Sequence, residues 1–124
     1  MTSHGEREQL EYIARALTRL NELCADGRTA FLDDWVRQSA ALYELQTLAE
    51  ATQRLSDVLR TRHPELPWRD IAAFRNRIVH GYLGVSMEVV WEIIEGDLPT
   101  IWAAVTEELN ALPGRGESDQ PPPA

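Results

Sequence analysis

Apolar residues recur at intervals of three and four positions along the first part of the chain, the spacing that places side chains on one face of a helix. This pattern predicts a first helix from about Glu6 to Cys24, and Gly27 marks its end. The apolar stripe consists of Leu10, Ile13, Ala14, Leu17, Leu20 and Cys24. A helix with one such stripe buries it against other helices.

A second helical pattern predicts a long helix that begins at Asp33 or Asp34 and ends near Arg60. Either aspartate can accept hydrogen bonds from the exposed backbone N–H groups of a first helical turn. The broad apolar side of this helix is formed by Leu42, Leu45, Leu48, Ala49, Thr52, Leu55 and Leu59. Two long helices in succession favour an antiparallel hairpin within a helical bundle.

Two prolines interrupt the helical pattern in residues 61–67, which therefore form a linker. Pro67 can open a third helix, because the first helical position needs no N–H partner. We expect this third helix to run from about Pro67 to His80 and to end at Gly81.

The remaining pattern predicts two further helices, the first capped by Ser86 and the last capped by Asp97 and ending near Leu112. No segment alternates between apolar and polar residues as a strand does. The expected fold class is therefore all-α, an up-and-down bundle of four to five helices in one domain over residues 1–112. Residues 113–124 contain three consecutive prolines and few hydrophobic residues, so we expect a disordered tail.

Composition is that of an ordinary globular domain, with 44% hydrophobic and 26% charged residues in 124 positions. No apolar run approaches the roughly 18 residues of a membrane span, and the polar first residues lack the apolar core of a signal peptide. We therefore expect a cytoplasmic protein without membrane contact. The single cysteine, Cys24, lies on the apolar face of the first helix and is interpreted as a core residue.

The charge is unevenly distributed. The net charge of −8 argues against strong non-specific binding to nucleic acid, yet residues 60–80 are basic. All the basic charge is arginine, and this stretch holds Arg60, Arg62, Arg69, Arg75 and Arg77. Because arginine can hold a phosphate with two hydrogen bonds, the stretch is a candidate phosphate site, with Arg62, Arg69 and Arg77 as candidate RNA-binding residues. The alternative is a solvated helix face paired with acids elsewhere.

The end of the third helix gathers an arginine, an amide and an imidazole. Asn76 and His80 are four residues apart and share a face, and Arg75 is next to Asn76. These groups suit phosphoryl transfer without a metal, since histidine moves protons near neutral pH and arginine stabilises transition-state charge. The spacing of cysteine and histidine fits no zinc site, and no phosphate-binding glycine loop is present. The alternative is that His80 only caps the helix and that Tyr82 is a core residue.

For RNA, this chemistry predicts that His80 removes the proton of a ribose 2′-OH, which then attacks the adjacent phosphorus while Arg75 stabilises the pentacoordinate state. The leaving oxygen needs a general acid. One helix offers one histidine, so a second copy of the chain is the simplest source of that acid. DNA lacks the 2′-OH and would not be cut in this way.

Several spaced segments resemble one known family, the HepT-like branch of the HEPN superfamily. Residues 48–56 (LAEATQRLS) resemble its second-helix signature, and residues 63–71 (HPELPWRDI) resemble its inter-helix link. Residues 74–82 (FRNRIVHGY) resemble its Arg-x4-His-x-Tyr motif. Gly84 with Val85, Val90 with Trp91, and residues 97–99 (DLP) resemble the helix that follows and its break. The resemblance spans about residues 44–112.

This resemblance implies an all-α homodimer whose active site lies across the dimer interface, and a metal-independent ribonuclease toxin without a cofactor. It also implies neutralisation by a nucleotidyltransferase antitoxin of the MNT type, which attaches AMP to the motif tyrosine. Carried over to this chain, Arg75 and His80 are catalytic with Asn76 in support, and Tyr82 is the AMPylated residue. Glu50 is a further supporting residue.

One departure from the family pattern lies beside Glu50, where the family usually has glycine and this chain has Ala49. A methyl group there could shift the backbone near Glu50, which could instead be an exposed helix carboxylate. A different class of function also fits the basic patch. In that alternative the chain is a non-catalytic helical subunit that binds substrate or nucleotide for a nucleotidyltransferase.

Overall fold

The computed structural model describes residues 4–81 and 84–112, and these residues form seven α-helices and no strand. The helices are α1 (His4–Leu23), α2 (Arg28–Leu32), α3 (Trp35–Gln53), α4 (Asp57–Arg62), α5 (Trp68–Gly81), α6 (Met87–Gly96) and α7 (Leu98–Ala111). The expected all-α class is confirmed. The expected tail and Tyr82 lie outside the described residues.

Packing follows the apolar stripes. Helix α3 contacts both α1 and α5, α7 packs on α1, and α6 contacts α2 and α7. Five members of the stripe predicted for the first helix are buried, and Ala14 is half-buried. The largest fully buried side chains are Phe31, Leu10, Ile13, Leu20, Leu59 and Val90. Helix α5 therefore lies against α3 at one side of the bundle.

The long second helix of the sequence prediction is wrong in one respect, because it breaks after Gln53 and resumes at Asp57. Ser56 stands at the break, where its hydroxyl accepts a hydrogen bond from the Leu59 N–H and caps α4. The Ser56 N–H donates to the carboxylate of Glu6, fifty residues away in sequence. The apolar pattern continues through the break because Leu55 and Leu59 are both buried.

Other helix ends agree with the sequence prediction more closely. Asp34 caps α3 by accepting from the N–H groups of Val36 and Arg37, and Ser86 caps α6. Asp97 precedes α7, but its side chain makes no capping hydrogen bond. The short helix α2 was not predicted; it follows Gly27, whose φ of +99° is a conformation that glycine adopts readily.

A buried polar cluster fixes the linker that leads into α5. His63 is 3% exposed, and its Nε2 lies 2.6 Å from Glu108 Oε2 while its Nδ1 lies 3.2 Å from Glu65 Oε2. Arg62 donates two hydrogen bonds to Glu108, and the indole N–H of Trp68 donates to the His63 carbonyl. These contacts tie the start of α5 to α7.

Cys24 belongs to the hydrophobic core, as expected from its position on the first helix. Burial raises the pKa of its thiol to about 11, and the nearby Glu95 carboxylate acts in the same direction. The thiol therefore remains protonated at neutral pH. None of the described helices combines the length and the apolar character needed to cross a membrane.

Candidate active site

Helix α5 has one side packed against the core and one side exposed to solvent, and its motif residues are divided between the two. Ile78 is buried, and Ile71 and Phe74 pack against the core, so the opposite side of the helix faces solvent. Asn76 and His80 are exposed on that side, one turn apart. The same helix end therefore carries both a packed surface and an open polar surface.

Arg75 lies at the boundary between these two surfaces, with its side chain 31% exposed. Its Nη1 donates to Asn76 Oδ1 at 3.1 Å, and its Nη2 lies 3.7 Å from Glu50 Oε2 on α3. Its Nε is buried without a hydrogen-bond partner. Gln46 Nε2, one turn before Glu50, lies 3.4 Å from Glu50 Oε1. The guanidinium is thus held from two sides and keeps unused donor capacity.

Ala49, the departure from the family pattern, is 2% exposed and lies between α3 and α5. It lines a cavity of about 90 Å³ together with Ile71 and Phe74. The methyl group is therefore accommodated at the helix contact, and the next residue, Glu50, still reaches Arg75.

His80 lies five residues after Arg75, which places the two about 140° apart around an ideal α-helix. It is exposed, and within residues 4–81 and 84–112 it forms no ion pair with an acidic side chain. The fold therefore brings Glu50, Arg75 and Asn76 together, and holds His80 on the exposed side of α5, well round the helix from Arg75.

The three other candidate arginines occupy different places. Arg69 and Arg77 are exposed on α5, and Arg69 lies on the same stripe as Asn76 and His80, seven and eleven residues earlier. The guanidinium of Arg62 instead donates two hydrogen bonds to Glu108. Hydrogen bonding to that carboxylate raises the pKa of Arg62. The described contacts do not connect Arg62 with Arg75.

An exposed apolar surface lies between α3 and α5, where Val79 follows Arg75 by one helical turn, and the sequence prediction does not include it. Tyr43 on α3 is 60% exposed and Val79 on α5 is 41% exposed. With Leu42, Gln46 and Ile78 they line a shallow depression of about 380 Å³ between the two helices. The available signal was an aromatic residue, Tyr43, on the otherwise polar side of the predicted second helix.

The residues that the structure describes contain no side-chain cluster of the kind that binds metal ions in proteins. Among those residues, no group of three or more His, Cys, Asp or Glu side chains is arranged to hold a metal ion.

Comparison with known proteins identifies the family of the chain. The sequence profile of the family described as "Ribonuclease HepT-like" matches residues 13–112. A protein of Thermococcus cleftensis named "Probable ribonuclease HepT" is 31% identical over 101 residues, which cover 78% of this chain and 89% of that protein. No solved structure matches the chain.

Two further relatives carry similar names. A "Putative RNase" of Methanocaldococcus jannaschii is 27% identical over 88 residues, covering 71% of this chain and 73% of that protein. A "Putative RNase" of Caldanaerobacter subterraneus is 33% identical over 79 residues, covering 64% and 70%. These matches place the chain in the class of helical ribonuclease domains. The chain belongs to the HepT-like ribonuclease family.

Proposed function

We propose that this protein is a metal-independent endoribonuclease toxin that cleaves RNA by 2′-OH attack, with an active site composed of residues from two copies of the chain. The observation that carries the proposal is the arrangement at the end of α5. Arg75 is half-buried and held by Glu50 and Asn76, while His80 is exposed on the solvent side of the same helix, five residues further on. A positioned cation and an accessible imidazole are the two groups that the reaction needs.

In the first part of the reaction, the neutral imidazole of one His80 accepts the proton of the ribose 2′-OH, and the 2′-oxygen attacks the adjacent phosphorus. Arg75 stabilises the added negative charge of the pentacoordinate state. The bond from phosphorus to the 5′-oxygen then breaks, and that oxygen takes a proton from the protonated His80 of the second copy. The products are a 2′,3′-cyclic phosphate and a 5′-hydroxyl.

The second copy would dock on the surface formed by α3 and α5. Tyr43 and Val79 expose apolar area beside Arg75, and Val36, 56% exposed, extends this surface along α3. Such exposed apolar area next to polar groups is typical of an interaction surface. A two-fold axis through this surface would bring both copies of α5 together, and with them both His80 side chains.

Supporting roles follow from position. Glu50 and Asn76 would orient Arg75, and the exposed Arg69 and Arg77 would contact RNA phosphates on either side of the cleaved bond. Arg62 is the weakest of the three candidate RNA contacts, because Glu108 already occupies its guanidinium.

The off-switch is proposed from the family resemblance and from sequence position. Tyr82 follows His80 by two residues, so AMP attached there by an MNT-type nucleotidyltransferase antitoxin would add bulk and negative charge close to the imidazole. The negative charge of the AMP group would then repel RNA from the active site around His80. Co-expression with such a partner should raise the intact mass by whole AMP units, and Tyr82→Phe should abolish both the added mass and the neutralisation.

The activity is tested with purified protein, a short RNA and EDTA. Wild type should cut the RNA and leave cyclic phosphate ends, while His80→Ala should not, and an RNA with 2′-deoxyribose at the cleaved position should stay intact. Arg28→Ala, an exposed arginine on α2, is the matched control and should cut as wild type does. Intact RNA with wild-type protein would overturn the proposal and favour the non-catalytic subunit. Growth arrest in bacteria by wild type, but not by His80→Ala, tests the toxin role.

A further inference from the structure

A polar groove runs between α1 and α3 on the side of α3 that carries Glu50. Its volume is about 590 Å³, which falls in the range of roughly 300–1,000 Å³ for small-molecule sites. It is lined by Glu8, Gln9, Glu11, Tyr12, Arg15, Thr47, Glu50, Ala51 and Arg54. Glu50 also lies 3.7 Å from Arg75, so the groove opens beside the candidate active site.

One wall of the groove is an aromatic ring. Tyr12 on α1 is 39% exposed, and the Arg15 guanidinium lies 5.5 Å from its ring centroid. This cation–π contact holds positive charge at the ring, one helical turn along α1. Exposed aromatic rings that line a groove are the usual platforms on which nucleic-acid bases stack.

The facing wall comes from one side of α3 and from Arg54, the residue that follows its last turn. Thr47, Glu50, Ala51 and Arg54 recur at helical spacing, so they share that side. Ala51 is buried and small, and leaves room at the floor, whereas Arg54 is exposed at the groove edge. Within two helical turns, this wall therefore carries the hydroxyl of Thr47, the carboxylate of Glu50 and the guanidinium of Arg54, with the small Ala51 at the floor of the groove.

We infer that this groove binds one nucleoside of the RNA, next to the phosphate held by Arg75. The inference rests on the proposed ribonuclease function and adds a subsite to it. The base stacks on the face of the Tyr12 ring opposite the Arg15 guanidinium, and Arg15 and Arg54 neutralise the phosphate that follows along the strand. Glu50 lies between the groove and the candidate active site, because it lines the groove and also contacts Arg75.

The balance of charge favours a nucleobase over a small anion. Three carboxylates line the groove beside its two arginines, so a bare phosphate placed inside it would gain little, whereas the phosphate of the RNA strand lies outside, at the exposed Arg15 and Arg54. A base is uncharged, and the amino groups of adenine, cytosine and guanine can donate hydrogen bonds to a carboxylate such as Glu50.

The test measures binding of a short 2′-O-methyl RNA, which has no free 2′-OH at the cleaved position, by fluorescence anisotropy. Tyr12→Leu should weaken binding by roughly 5- to 100-fold, the range of one lost base stack, while Tyr12→Phe should bind as wild type does. On cleavable RNA, Tyr12→Leu should raise KM with kcat nearly unchanged. Trp102→Leu is the matched control, since Trp102 on α7 is a similarly exposed aromatic side chain at 45%.

The charge contacts are tested with Arg15→Gln and Arg54→Gln against Arg28→Gln, which removes the same charge on α2. Only the first two should weaken binding. Equal affinity of Tyr12→Leu and wild type would overturn the subsite while leaving the ribonuclease proposal standing. Tyr12-dependent binding with no cleavage by wild type would support the subsite and overturn the ribonuclease proposal. A wild type that binds no oligonucleotide would overturn the subsite.

Discussion

Arg75 and Glu50 face each other across the contact between α5 and α3, with Nη2 of the guanidinium 3.7 Å from Oε2 of the carboxylate. Both side chains are about one-third exposed, 31% and 33%. An ion pair so accessible to solvent contributes little to stability, roughly 0–1 kcal/mol. The ion pair instead orients the Arg75 guanidinium, because Asn76 accepts a hydrogen bond from its other terminal nitrogen.

Replacing Glu50 by glutamine keeps the shape of the side chain and removes its charge. We expect Glu50→Gln to lower kcat by about 10-fold, because a guanidinium fixed on one side spends less time in the productive direction. The melting temperature should stay close to that of wild type. Glu88→Gln on α6 removes an exposed carboxylate elsewhere and serves as the control. Wild-type kinetics in Glu50→Gln would exclude a positioning role.

Replacing Arg75 by lysine keeps one positive charge and removes the planar fork. Since a lysine cannot contact two phosphate oxygens and Asn76 in the same geometry, Arg75→Lys should reduce kcat by about 10²- to 10³-fold. Arg75→Ala should lose at least as much. Both variants should fold, which circular dichroism checks. Arg75→Lys with more than half of the wild-type rate would show that a point charge suffices.

The proposed docking surface is tested at Tyr43. Tyr43→Asp puts a charge on the apolar surface between α3 and α5, so it should convert a dimer into a monomer in sedimentation and abolish cleavage together with it. Val58→Asp on α4 is the control, because Val58 is 62% exposed, similar to Tyr43. A Tyr43→Asp monomer that still cuts RNA would contradict the two-copy active site.

The need for two His80 side chains predicts how mixed dimers behave. If wild type and His80→Ala are co-expressed in equal amounts and assemble at random, about one quarter of the dimers carry two intact copies. Cleavage should therefore fall to about one quarter of the wild-type rate at equal total protein. A fall to only one half would mean that each copy works with its own histidine alone.

The sequence predicts the features of the fold and site that depend on neighbouring residues, but not the contacts between residues far apart in the chain. The motif on α5, the start of that helix after Pro67 and the cap at Asp34 depend on neighbouring residues. The break at Ser56 depends on Glu6, fifty residues away, and the use of Arg62 depends on Glu108, 46 residues away. Periodicity contains no information on such partners, so it predicts neither the break after Gln53 nor the pairing of Arg62 with Glu108.

Glu108 and His63 form the buried cluster whose charge state should control stability. Two hydrogen bonds from Arg62 lower the pKa of Glu108 against the effect of burial, and His63 adds to this. Burial by itself would lower the pKa of His63, but its hydrogen bonds with Glu108 and Glu65 outweigh burial and raise it. Both ring nitrogens of His63 meet carboxylates, and only the protonated ring can donate from both.

The sign of the pH dependence follows from these directions. The contribution of His63 to stability is complete below its unfolded pKa of about 6.5 and is lost as the pH rises through its raised folded pKa. The contribution of Glu108 is present above about pH 4.3 and is lost as the pH falls through its lowered folded pKa. The cluster should therefore stabilise the fold most between these limits, in mildly acidic solution.

We expect His63→Gln to lower the free energy of unfolding by about 1–3 kcal/mol near pH 6, because the variant loses a charged hydrogen bond to Glu108. The loss should shrink as the pH rises, since wild type then loses the same contribution. Urea denaturation between pH 5 and 9 measures both quantities. His80→Gln, which removes an exposed histidine, should keep the wild-type pH dependence. If His63→Gln retains that dependence as well, the cluster does not govern stability in this range.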